Sequence, residues 1–231
     1  MQGIRFVLED ARKSGRTHLL EPEAKAVCIE YGIPVTRFLV AQNVDEALRS
    51  ADSIGYPVVL KVVSPQIIHK SDVGGVAIGL RDAKELRDAY HSILGAVKKN
   101  LPTANLTGVL VEEMLPSSTE VIVGVTRDPQ FGHVIMFGLG GIFVEVLKDA
   151  SFRAAPFGPS DAREMITELK AFPILGGYRG KPPADIDALV DILLKTSKLV
   201  TEHPEISGVD LNPILVSEKG AKAVDARILL G

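Results

Sequence analysis

A lysine inside a β-branched run is the feature that most constrains this chain. Residues 58–63 read Val-Val-Leu-Lys-Val-Val after Pro57, a pattern that predicts a strand. Lys61 is thus a charge set into an otherwise apolar strand, an unusual place for lysine. Pro65 stops the strand, His69, Lys70, Ser71 and Asp72 form a polar loop, and Gly74-Gly75 allows a tight return into a second apolar run at 76–80. Residues 57–80 are therefore expected to form a β-hairpin. Two cations, Lys61 and Lys70, and one histidine, His69, stand in it where phosphate could be held.

A chain of 231 residues can form one large domain or two small lobes, either with a sizeable core. Hydrophobic content of 46%, charged content of 24% and a net charge of −3 argue against disorder, a polybasic nucleic-acid surface or an acidic tail. No nucleic-acid partner is expected. The single cysteine, Cys28, excludes an intramolecular disulfide and falls in a helical pattern as a small apolar residue, which fits a reducing cytoplasm. The start Met-Gln-Gly-Ile-Arg has no basic segment followed by an apolar core, and no apolar run approaches the roughly 20 residues that cross a bilayer. The chain reads as soluble, unprocessed and without a membrane partner.

Residues 4–14 form a short helix in an N-terminal arm, 1–20, ended by Gly15. Pro22 opens a helix with Ala24, Val27, Cys28 and Tyr31 on one face and Gly32 as its stop. A strand at 34–40 follows, then a helix capped by Asn43 and Glu46, the 57–80 hairpin, and a longer helix capped by Asp82 and Glu85. After Pro102 the texture changes to strands at 108–114, 119–126, 133–137, 142–147 and 151–156, expected as an antiparallel sheet. A short helix near 160–169, a turn-rich loop from Phe172, a helix at 185–202 and strands at 208–216 and 222–226 complete the chain. The organisation is α/β, with a small lobe at 21–105 and a larger lobe at 106–231.

Several side chains in this pattern could carry chemistry. Glu112 and Glu113 end an apolar strand and Glu120 begins the next. Carboxylates there can accept hydrogen bonds from a ribose or an exocyclic amine, or simply be solvated strand termini. Asp210 and Asn212 are two apart on one strand, hence on one face, with Asp225 on the following strand. An amide plus carboxylates suits Mg²⁺, although Asn212-Pro213 also reads as a plain turn. His18, His91, His133 and His203 sit in no comparable cluster, and the segment 138–141 is not a Walker loop because no Lys-Ser/Thr follows it.

Lys61, the segment Gln-Ile-Ile-His-Lys-Ser-Asp-Val-Gly-Gly at 66–75, Val-Glu-Glu-Met at 111–114, Leu-Gly-Gly-Tyr-Arg-Gly at 175–180 and Val-Asp-Leu-Asn-Pro-Ile at 209–214 resemble the ATP-grasp portion of ADP-forming acyl-CoA synthetases. The resemblance runs from about residue 5 to the end, and is to the free-standing β subunits of ADP-forming acetate–CoA ligases. It implies an ATP-grasp fold of two lobes, each a β-sheet with packed helices, and nucleotide between the sheets. By motif, Lys61 would contact nucleotide phosphates and Ile68, His69 and Lys70 would cover them. Glu112, Glu113 and Leu115 match the hinge that reads adenine, largely through backbone, and Glu120 matches the ribose carboxylate. Asn212 and Asp225 match Mg²⁺ ligands, Asp210 an acid that orients a phosphohistidine, and His69 a histidine that carries the phosphoryl group. ADP or ATP would be the substrate nucleotide. A CoA-binding α subunit is the implied partner, in an α₂β₂ assembly. A succinyl-CoA synthetase-like β subunit and a non-catalytic nucleotide-sensing module stay open as alternatives.

Overall fold

The structure, a computed structural model, describes residues 3–141, 148–177 and 182–231. The strand expected at 142–147 and the last three residues of the 175–180 motif lie outside the described residues. Two compact units emerge, Thr36–Pro116 and a larger one made of Met1–Val35 with Ser117–Gly231.

The smaller unit is a four-stranded antiparallel sheet with two helices on one face. Strands β1 (Phe38–Ala41), β2 (Val58–Val63), β3 (Val76–Leu80) and β4 (Gly108–Glu113) lie in the order β1-β4-β2-β3. Helix α3 (Val44–Ile54) starts where the Asn43 side chain accepts from the Glu46 N–H. Helix α4 (Ala83–Asn100) starts where Asp82 accepts from the N–H groups of Lys84 and Glu85. Both caps are those expected from the sequence, because a short oxygen-bearing side chain satisfies amides that a helix start leaves unbonded. Val58, Leu60 and Val62 of β2 join Val109 and Val111 of β4 in one core with Leu86, Ile93 and Val97 of α4. The odd residues of β2, Lys61 among them, face the other way.

The larger unit is built on a six-stranded antiparallel sheet. β5 (Thr119–Asp128), β6 (Gly132–Leu139), β7 (Ala150–Ala154), β8 (Ile206–Ser217), β9 (Gly220–Ala223) and β10 (Ala226–Leu230) lie in the order β10-β8-β5-β6-β7, with β9 also on β8. Helices α1 (Ile4–Lys13), α2 (Glu21–Glu30), α5 (Pro159–Thr167), the short α6 (Phe172–Leu175) and α7 (Ile186–Glu202) belong to this unit. Its core gathers Leu8, Val27 and Cys28 with Val121, Val123, Phe137, Met165, Leu193, Leu211 and Ile228.

Three sequence expectations change here. The boundary drawn near residue 105 moves, because β4 is hydrogen-bonded between β1 and β2 and so completes the smaller sheet, while α2 is buried in the larger core. The N-terminal residues are no separate arm: Ile4, Leu8, Ala11 and Leu19 enter the larger core, and the N–H groups of Leu19 and Leu230 bond to Ile228 O and Thr17 O, adding 17–19 beside β10. The last strand splits into β9 and β10, so Asp225 lies in the connection between strands and not on one.

Candidate functional site

In the smaller unit, Lys61 and Glu112 form an ion pair of 2.7 Å, with side chains 7% and 0% exposed. The Thr36 hydroxyl donates to the other carboxylate oxygen of Glu112. Register explains the meeting. Phe38 and Val59 are the cross-strand partners of Glu112 on β1 and β2, so Lys61, two residues along, is its diagonal neighbour on the same face. Desolvating two charges is costly, and only close geometry plus a further hydrogen bond on the carboxylate offsets it; Thr36 provides that bond. Glu112 is therefore no solvated strand terminus, and both of its oxygens are engaged within the unit. Thr36 had no signal in the sequence, since threonine in an extended run reads as an ordinary strand residue.

Glu113 is bound otherwise. Its carboxylate accepts from the Arg37 N–H at 2.8 Å and from Arg37 Nε at 3.1 Å. The backbone N–H groups of Glu113 and Met114 are committed to Arg37 O and Pro57 O. Among the described residues, that of Leu115, which is half-buried, has no carbonyl partner.

The loop carrying His69 is fixed at its base and open at its tip. Gln66 Oε1 accepts from Ser64 Oγ and from the Asn105 N–H, both at 3.0 Å, and Ile67 is buried. On the far side the Gly75 N–H bonds Lys70 O and Gly75 O accepts from the Val62 N–H. A Cβ at Gly75 would stand 2.4 Å from Val62 Cγ2, so the return to β3 admits no side chain there. Between these anchors Ile68, His69, Ser71 and Asp72 are exposed and Lys70 is partly covered. Gly74, at φ +69°, closes a single 3₁₀ turn at Ser71–Val73.

In the larger unit, Val209 and Leu211 point into the core while Asp210 and Asn212 are exposed, the alternation expected of one strand face. β9 and β10 keep one common register on β8, with Ala223 opposite Ile214 and Ala226 opposite Leu211. Asp225 therefore falls opposite Asn212 at the break between the two strands. Glu120, also exposed, is on the neighbouring strand β5 opposite Leu215. Two oxygen donors from facing backbone segments suit Mg²⁺, which takes few protein ligands and completes its shell with water and phosphate oxygens. No group of three or more His, Cys, Asp or Glu able to hold a metal occurs among the described residues.

The remaining candidates are structural. His133 is buried with Nε2 2.6 Å from Ile206 O. Burial pushes the Cys28 thiol up to about 12, which keeps it protonated and inert as a nucleophile.

The family model for the ATP-grasp domain matches residues 10–230, and the chain belongs to that family. It is 54% identical over 226 residues to the acetate–CoA ligase [ADP-forming] I subunit beta of Pyrococcus furiosus, covering 98% of this chain and 97% of that one. Against the single-chain acetate–CoA ligase [ADP-forming] I of Archaeoglobus fulgidus it is 51% identical and covers 33% of that protein. The dinucleotide-forming acetyl-coenzyme A synthetase 1 of Ca. Korarchaeum cryptofilum, in complex with coenzyme A, Ca-AMPCP and HgCl⁺, superposes with a TM-score of 0.97 at 49% identity, over 99% of this chain and 100% of that one. A second structure of that enzyme, with coenzyme A and Mg-AMPPCP, has its phosphohistidine segment pointing towards the nucleotide binding site (TM-score 0.88, 46% identity, 99% and 100% covered). Within the ATP-grasp family the chain thus belongs with the β subunits of ADP-forming acetate–CoA ligases.

Proposed function

We propose that this chain is the nucleotide-handling β subunit of an ADP-forming acetate–CoA ligase, which converts acetyl-CoA, ADP and phosphate into acetate, CoA and ATP. One observation carries the reading: 54% identity that spans 97% of a β subunit of that enzyme. The partner is a CoA-binding α subunit. The Archaeoglobus fulgidus relative, of which this chain matches a third, supports that division of labour. We infer an α₂β₂ assembly and a cytoplasmic location, as for a soluble metabolic enzyme; no helix among the described residues is long and apolar enough to cross a membrane.

In this reading His69 receives the phosphoryl group and delivers it to ADP. An exposed neutral imidazole is a competent nucleophile near neutral pH. The imidazole N–P bond then breaks as an O–P bond forms to the terminal phosphate of ADP, and the electron pair returns to the ring. Asp210 orients the phosphorylated ring. Asn212 and Asp225 hold Mg²⁺, which when bound neutralises phosphate charge. Lys61 and the tip residues Ile68 and Lys70 lie along the nucleotide phosphates. Glu120 accepts from the ribose, and the Glu113 carbonyl and the uncommitted Leu115 N–H read the adenine edge. Glu112 serves through Lys61, since its own oxygens are taken.

The test is to co-express the chain with its α subunit, incubate the complex with Mg²⁺ and γ-labelled ATP, and map the label. An acid-labile, base-stable phosphoryl group on His69, absent from His69→Ala, is expected. Full turnover by His69→Ala would overturn the assignment.

A further inference from the structure

Arg227 is left without a role by the site as described, yet it stands beside two of the site's acids. It is two residues past Asp225 on β10, and its cross-strand partner on β8 is Asp210. Its neighbours Ala226 and Ile228 enter the core, so Arg227 shares the opposite face with Asp210. Across the sheet that row continues through Gly124 of β5, Met136 of β6 and Phe152 of β7. These positions offer no further charge. Arg227 Nε is shut off from solvent and has no hydrogen-bond partner among the described residues.

A half-buried guanidinium with an unmet, solvent-excluded donor is costly to a fold unless something else meets it. The planar fork of arginine matches tetrahedral phosphate oxygens, two at a time. An adjacent carboxylate that orients an imidazole and a facing pair of oxygen donors for Mg²⁺ leave one kind of group for it to meet. We propose that Arg227 binds the non-bridging oxygens of the phosphoryl group in transit between His69 and the nucleotide. This rests on the functional reading above. As the N–P bond breaks and the O–P bond to ADP forms, the transferred group keeps its three equatorial oxygens, and Arg227 holds their charge throughout without gaining or losing a proton.

The complex with the α subunit, carrying Arg227→Met or Arg227→Lys, tests this. Arg227→Met should melt at or above the wild-type temperature, because it removes an unmet buried donor. Turnover and His69 labelling should fall by about 100-fold or more, while calorimetric affinity for Mg-ADP stays within roughly threefold. Arg227→Lys should recover part of the rate. Weaker Mg-ATP binding with unchanged Mg-ADP binding would assign the contact to the nucleotide's terminal phosphate; loss of labelling from ATP alone, to phosphohistidine. A melting temperature several degrees lower with equal loss of both nucleotides would make Arg227 structural and overturn the proposal, as would labelling and turnover near the wild-type level. If wild-type complex carries no label on His69, the functional reading itself fails and this assignment falls with it.

Discussion

The two units handle the charges of the candidate site in opposite ways. In the smaller one, Lys61 and Glu112 are buried, paired and bonded to Thr36, so the site's cation is part of what holds the sheet together. In the larger one, Asp210 and Asn212 are exposed on a strand face whose other side makes the core. A site woven into a core couples function to stability, whereas a site on an open face can be altered with little cost to folding.

Five outcomes sharpen or break that contrast. The largest belongs to His69, which sits in the smaller unit but on the exposed tip of its loop. His69→Ala should lower turnover by on the order of a thousandfold or more with an unchanged melting temperature; a marked drop in stability would mean that the loop is structural. Glu112→Ala strands a buried lysine and should destabilise the chain by about 3–5 kcal/mol in urea unfolding. The double replacement Lys61→Met with Glu112→Leu should regain most of that stability yet lose nucleotide affinity, and failure to regain it would deny that the pair is what matters. Asn212→Ala, by contrast, should change stability by no more than about 0.5 kcal/mol while weakening Mg-nucleotide binding roughly tenfold or more in calorimetry.

Cys28 reports on the larger core. Its thiol titrates at the ordinary 9.0 when unfolded and is pushed up to about 12 by burial when folded. Between those values the unfolded chain releases a proton that the folded chain keeps, so stability falls as pH rises from about 9 towards 12 and the slope then ends. Cys28→Ala should flatten that limb of the curve, and iodoacetamide should modify wild-type Cys28 only after unfolding. The smallest effect is expected at Asp82, which caps α4 through two N–H groups at 2.8 and 2.9 Å. Asp82→Ala should cost about 1 kcal/mol, measurable as a shift in the urea midpoint with turnover unchanged.

Much of this was legible in the residues. Asn43 and Asp82 cap helices because their oxygens bond amides two or three residues away, a local matter. The exposed pair Asp210 and Asn212 follows from strand alternation, and Gly75 from the tight return of a hairpin. What escaped is non-local. Nothing in the order of elements says that β4 inserts between β1 and β2, so the boundary near 105 was drawn without it and a solvated role for Glu112 stayed open. Thr36 escaped for the same reason, its significance coming from a strand far away in the chain.

By itself the sequence determined which residues could bear chemistry, since side-chain type and period fix what is apolar, what is charged and which face each takes. Only the tertiary structure decided which charges meet. Strand pairing brought Glu112 to Lys61 across 51 positions of chain and set Arg227 opposite Asp210. Such pairing is chosen by the burial of whole sheets, a sum over many residues that no single motif carries.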